Sequence, residues 1–302
     1  MKHLYHLVLT FLLLSIFCGC NSGSGNGSTL PTLAVSIEPQ RYLLERIAGN
    51  DFNIVTMLPP DADPENYEPT LGLLKKLNNS KIYFAVGNMP FEEQLLARSQ
   101  LAENGKTEIV TAAALQDITS THDHPDSHEH HAATDPHVWT SPANSLAMAR
   151  QMLEAVVKID PGNEAVYRQR FNSLAQSIDS LNEAIANRLT LCEGDMMIVE
   201  HPSLSYFARD YRLKQLYFGA ENKEITPNRL RSVIDSATTH SHAVTMVCEA
   251  AYNADRTRSI ARQAGAPTVE INTLSHDFLS QLDELSIKLA NSHHAHDQST
   301  DR

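Results

Sequence analysis

An alternation along the chain constrains it most. Short apolar runs at residues 33–37, 52–58, 81–86 and 108–111 are separated by stretches with helical spacing at 40–48, 71–78 and 91–100. A strand, a helix and a further strand in succession require a crossover, and repeated crossovers bury a parallel sheet beneath helices. The alternation stops at a polar stretch, 119–136, and gives way to the longest helical region, 144–191, broken only around Asp160-Pro161-Gly162. Its apolar positions Leu146, Ala149, Met152, Leu153, Val156 and Val157 recur at helical spacing. Beyond Asp195 the alternation resumes, with apolar runs at 196–199, 214–218, 244–248 and 268–271. The chain therefore reads as lobe, long helix, lobe. In such open α/β sheets ligands bind just outside the carboxyl ends of the strands, and that is where site residues are to be sought.

The N-terminal residues are set aside as a targeting segment. Lys2 supplies a single cation, and residues 7–17 form an apolar run too short to span a bilayer comfortably. The run ends at Phe17-Cys18-Gly19-Cys20, which resembles a lipoprotein signal-peptidase site with Cys20 as the lipidated residue. Residues 21–28 are almost entirely Asn, Gly and Ser, a composition that behaves as a flexible tether. The expected division is a signal peptide at 1–19 and a tether at 20–30. A first α/β lobe follows at 31–140, including the loop 119–136. A bridging long helix at 141–192, a second α/β lobe at 193–291 and a His-containing tail at 292–302, expected to fray, complete the chain. This places the protein outside the cytoplasm, periplasmic or at the cell surface, tethered to a membrane by lipid. A formal net charge of −12 without basic patches argues against nucleic acid as a partner. After processing only Cys192 and Cys248 remain, and both a disulfide and two buried thiols are open readings.

Three loops at element boundaries hold potential metal ligands. Residues 60–70, Pro-Asp-Ala-Asp-Pro-Glu-Asn-Tyr-Glu-Pro-Thr, follow the second apolar run and contain Glu65. Asp135-Pro136-His137-Val138-Trp139 precedes the long helical region, and His201 follows the first apolar run of the second lobe, shortly before Tyr206 and Phe207. Loops pinned between packed elements hold side chains in place, although a lone loop His is more often a surface residue than a ligand. Together these segments resemble the zinc/manganese-specific solute-binding proteins of ABC importers, over about residues 33–289. In that family the first loop, with His where Glu65 stands, Asp-Pro-His-x-Trp and a later post-strand His supply ligands. The Asp160-Pro161 and Tyr167 pattern is also similar.

The resemblance implies two lobes, each a parallel sheet flanked by helices, joined by one long bridging helix, with the metal in the cleft. It further implies a monomeric receptor, not an enzyme, that captures zinc and delivers it to an ABC permease and its ATPase. Glu65, His137 and His201 are the implied core ligands. The family's fourth, acidic ligand falls at Asn272, so the fourth position is left to water or to His276 or Asp277, a few residues on, which otherwise begin a surface helix. The run His122, His124, His128, His130 and His131 reads as an auxiliary metal-collecting loop. Imidazole suits zinc better than manganese, which leaves Zn²⁺ as the first cargo and Mn²⁺ as the second. The rival readings are a manganese receptor of the same fold and an exposed metal-scavenging or adhesin lipoprotein. A hydrolase lacks support: no His-Glu-x-x-His, Gly-x-Ser-x-Gly or Gly-rich phosphate loop occurs.

Overall fold

The computed structural model describes residues 30–60, 62–101, 105–119, 134–219, 225–250, 252 and 254–300. In the first lobe β1 (Thr32–Val35), β2 (Asn53–Thr56), β3 (Ile82–Ala85) and β4 (Glu108–Thr111) form one parallel sheet in the order β2-β1-β3-β4. The connecting helices are α1 (Glu38–Ala48), α2 (Leu71–Asn78) and α3 (Pro90–Arg98). Two helices follow, α4 (Pro142–Ile159) and α5 (Glu164–Arg188). The second lobe repeats the plan with β5 (Met196–Val199), β6 (Lys214–Tyr217), β7 (Val244–Glu249) and β8 (Thr268–Ile271), parallel in the order β6-β5-β7-β8. Its helices are α6 (Ser205–Asp210), α7 (Pro227–Thr239), α8 (Ala254–Ala264) and the closing α9 (Phe278–Thr300). The two-lobed α/β architecture expected from the alternation is the one found.

Burial explains why these runs are strands. The inner strands β1, β3, β5 and β7 are covered on both faces and almost wholly apolar, whereas the outer β2, β4 and β6 are partly exposed and mixed. In each sheet the chain turns first to one side and then crosses to the other, which opens a crevice between β1 and β3 and another between β5 and β7. The first crevice is plugged by a side chain. Glu92, buried, accepts the backbone N–H groups of Val86 and Gly87 at 2.7 Å each, and a hydroxyl bond from Ser36. Gly87 adopts φ 90°, and a Cβ there would meet Thr111 Oγ1 at 2.8 Å, so the turn requires glycine. The second crevice holds the candidate site.

The expected long helical region is a hairpin. Pro161 cannot continue the ladder, and the chain reverses so that α5 packs back along α4. Arg168 pairs with Glu154 at 3.0 Å, and the Arg150 guanidinium sits over the Phe171 ring at 5.3 Å. The long helix that bridges the lobes is α5 itself. Near one end Arg170 holds Asp51 and the Ala48 carbonyl, and at the other Arg188 holds Asp283 at 2.8 Å. One hydrophobic core runs from Leu33 and Val35 of β1 through the hairpin to Met197, Val247 and Ile271 of the second sheet, with a smaller core around Phe218, Val233 and Ile260. Two further sequence expectations resolve here. Cys192 and Cys248 are separate buried thiols. The tail expected to fray instead continues α9 to Thr300, because Ser292 bonds Thr245 and His293 bonds Asp195. Among the described residues no helix is long and apolar enough to cross a membrane. Cys20 and the run His122, His124, His128, His130 and His131 lie outside the described residues.

Candidate metal centre

Each implied core ligand is placed by its own loop. After β2, Pro59 and Pro60 end the strand, and the Asp63 carboxylate accepts the Glu65 N–H at 2.9 Å and the Asn66 amide at 2.7 Å. This local turn points Glu65 inward. Before α4, Asp135 Oδ1 accepts the His137 N–H at 2.9 Å and meets His137 Nδ1 at 2.7 Å, so one carboxylate fixes both the backbone and the ring. Trp139 then donates its indole N–H to the Thr273 carbonyl at 2.8 Å, and Tyr206 donates to the Asp135 carbonyl at 2.8 Å. These two bonds tie the His137 segment to the second lobe. His201 follows β5, where its carbonyl accepts the Ser203 N–H and its ring stacks on Tyr252 with centroids 5.2 Å apart.

The rings of His137 and His201 converge, with Nε2 to Nε2 at 3.3 Å and both residues buried. Each ring is held from behind by a carboxylate: Asp135 on His137 Nδ1 and Glu65 on His201 Nδ1 at 2.9 Å. A proton shared with a carboxylate at Nδ1 leaves the Nε2 lone pair free, which is the tautomer a metal requires. Burial alone would raise the Asp135 and Glu65 carboxyls, but the hydrogen bond and charge of the adjacent imidazole outweigh it, and both stay below the usual carboxylate range. At 3.3 Å the two facing nitrogens can share a proton or a metal cation. Two Zn–N bonds of about 2.0–2.1 Å meeting at a tetrahedral angle place their nitrogens roughly 3.3 Å apart. The observed separation fits that ion.

Glu65 thus reaches the pair through the back of His201 rather than through the facing nitrogens. The other two sequence candidates lie at the surface. His276 Nε2 bonds Glu45 at 2.9 Å, and Asp277 accepts the Ser280 hydroxyl at the start of α9. Neither is brought to the two imidazoles. Asn272 accepts the Leu274 N–H and is likewise engaged elsewhere.

The structure instead presents Glu249, which sequence reasoning missed. It ends β7, is fully buried, and lines a cavity of about 10 Å³, the size of one ion or water, together with His137, Trp139, Ser203 and Tyr252. Ser203 donates to one of its oxygens, and the other, Oε1, has no partner among the described residues. Burial lifts its carboxyl to about 7 against the opposing Ser203 bond. The signal was present in the sequence: a carboxylate closing an apolar strand is out of place unless it faces a site. A larger open groove over β2, lined by Glu38, Arg41, Lys75 and Lys76, lacks converging imidazoles.

Two parallel sheets joined by one helix and one core, with candidate ligands in loops beyond the strands of the first and at the carboxyl ends of the inner strands of the second, define a class: two-lobed α/β binding proteins with a metal-sized site between the lobes. Residues 33–289 match the family described as periplasmic zinc-uptake complex component A, and the chain belongs to that family. A Chlamydia trachomatis protein is 25% identical over 291 residues, covering 94% of this chain and 99% of its own. The metal ABC transporter substrate-binding lipoprotein SloC of Streptococcus mutans is 21% identical, covering 88% of each chain. The crystal structure of ZnuA superposes with a TM-score of 0.75 at 27% identity, covering 87% of this chain and 99% of that one.

Proposed function

We propose that this chain is the extracytoplasmic solute-binding protein of a metal ABC importer, which captures zinc between its lobes and hands it to a membrane permease driven by an ATPase. One observation carries the reading: two buried imidazoles face each other at a tetrahedral edge length, each oriented by a carboxylate. His137 and His201 are the primary ligands. Glu249, with its unpartnered Oε1, and Glu65, by turning off His201 Nδ1, are the carboxylates that complete the set, and the Tyr252 hydroxyl lies 3.4 Å from Glu65. His276 and Asp277 have no part in it. A hard carboxylate where the family motif has imidazole narrows the preference for zinc over manganese without reversing it. The relatives' names include both zinc-binding and manganese-transport lipoproteins, so manganese stands as the second cargo.

The chain acts as a receptor, tethered through a lipid on Cys20 and monomeric, with the His122–His131 run collecting additional zinc more weakly. The test is isothermal calorimetry with zinc and manganese on protein stripped of metal. The parent binds zinc tightly at the inter-lobe site, and His137→Ala or His201→Ala removes that site from the isotherm. A His201→Ala variant that binds as many zinc ions as the parent, with unchanged affinities, overturns the reading. Metal-loaded protein is expected to show no hydrolase activity, and turnover abolished by His201→Ala would make it an enzyme.

A further inference from the structure

At the opposite end of the second sheet, before the strands begin, a separate set of donors converges. Cys192 closes a short 3-10 turn after α5, and the Asp195 N–H bonds back to the Cys192 carbonyl at 2.9 Å, which brings the two side chains to one side. Gly194, at φ 87°, makes that turn sterically accessible. His293 descends from α9 and places Nδ1 at 2.9 Å from Asp195 Oδ2. Sulfur, carboxylate oxygen and imidazole nitrogen all lie within 4.8 Å of one another, and Cys192 and Asp195 are buried. Among the described residues this is where three such atoms meet that closely. More imidazole lines the same floor: His240 Nε2 bonds the Gly194 carbonyl at 2.9 Å, and His242 packs against Gly194.

We propose that Cys192, Asp195 and His293 form a second, thiolate-containing site for a zinc-class divalent cation, which pins α9 beneath the second sheet. Tetrahedral zinc with bonds of about 2.3 Å to sulfur and 2.0–2.2 Å to nitrogen and oxygen sets donors roughly 3.3–3.6 Å apart. Side-chain rotation closes the observed cluster to that spacing, and the cation replaces the thiol proton. The sulfur makes the site chemically distinct from the His137–His201 centre, which offers nitrogen and oxygen alone, and it discriminates strongly against manganese. The proposal does not depend on the transport reading.

Sulfur also supplies the test, because cobalt(II) bound to thiolate gives a near-ultraviolet charge-transfer band that nitrogen and oxygen ligands do not. The full chain carrying Cys18→Ser, Cys20→Ser and Cys248→Ser retains Cys192 as its single thiol. Titrated with cobalt(II), this protein is expected to develop the band, and the band is expected to persist when His201→Ala removes the first site. Adding Cys192→Ser must abolish it. His293→Gln, at a partly exposed position that preserves the helix, must abolish or weaken it while circular dichroism stays unchanged. Absence of the band at saturating cobalt(II), or a band of unaltered affinity in the His293→Gln protein, overturns the proposal.

Discussion

At the residue scale the centre depends as much on what stands behind the imidazoles as on the imidazoles themselves. Asp135 contacts both the backbone and the ring of His137, so it sets the ring's angle and its tautomer together. Asp135→Asn keeps the shape but offers the ring a weaker acceptor, and is expected to lower zinc affinity about 10–100-fold with the fold intact. Calorimetry beside a thermal melt separates this from unfolding; a variant that binds like the parent would reduce Asp135 to a structural prop. His137, His201 and Glu65 came from loops that resemble the family's motifs, and the structure brings the two imidazoles together. Glu249 was passed over although it closes an apolar strand, because its burial and its unpartnered oxygen come only with the fold. His276 and Asp277 were drawn in by proximity in sequence to Asn272, yet the start of α9 carries them to the surface.

At the element scale the hairpin of α4 and α5 turns on Asp160, which accepts the Tyr167 hydroxyl at 2.6 Å and the Asn163 amide at 2.8 Å. Those bonds, Tyr167 foremost, hold the Asp160 carboxyl below its ordinary range. A depressed folded value means that the stabilisation is fully present above the unfolded carboxyl's pKa, about 3.9, and is lost as pH falls through the lower folded value. Tyr167→Phe should therefore cost about 1 kcal/mol at neutral pH, discounted for the exposed acceptor. The gap from the parent should shrink in acid, as measured by urea denaturation at both pH values. A gap that persists in acid would assign the loss to packing of the buried ring instead. Helical periodicity made both helices legible, and Pro161 marked the break, but spacing along one helix carries no information about the direction of the next. The tail is the converse case. Its histidines looked like a frayed end because the partner that orders them, Asp195, lies far away in sequence.

At the scale of the whole molecule the sequence alternation gave the parallel sheets, since crossovers leave few other topologies. It did not reveal that both lobes share one core, because that depends on which helix faces turn toward each other. A single core predicts a single cooperative unfolding transition, and zinc bound to the native state alone should raise its midpoint with rising concentration. Scanning calorimetry that resolves two transitions would show the lobes to be independent. The shared core also bears on time. Parting the lobes would wet buried side chains such as Trp139, Leu204 and Phe278, at about 1.5–3 kcal/mol each. Three such exposures amount to about 5–9 kcal/mol, which confines an opened form to roughly one molecule in several thousand or fewer. The cargo's residence is then governed by that rare excursion. In stopped-flow mixing, zinc loss to a chelator should proceed at a rate that stops depending on chelator concentration. A zinc-loss rate that keeps rising with chelator concentration would show that the ion leaves without any parting of the lobes.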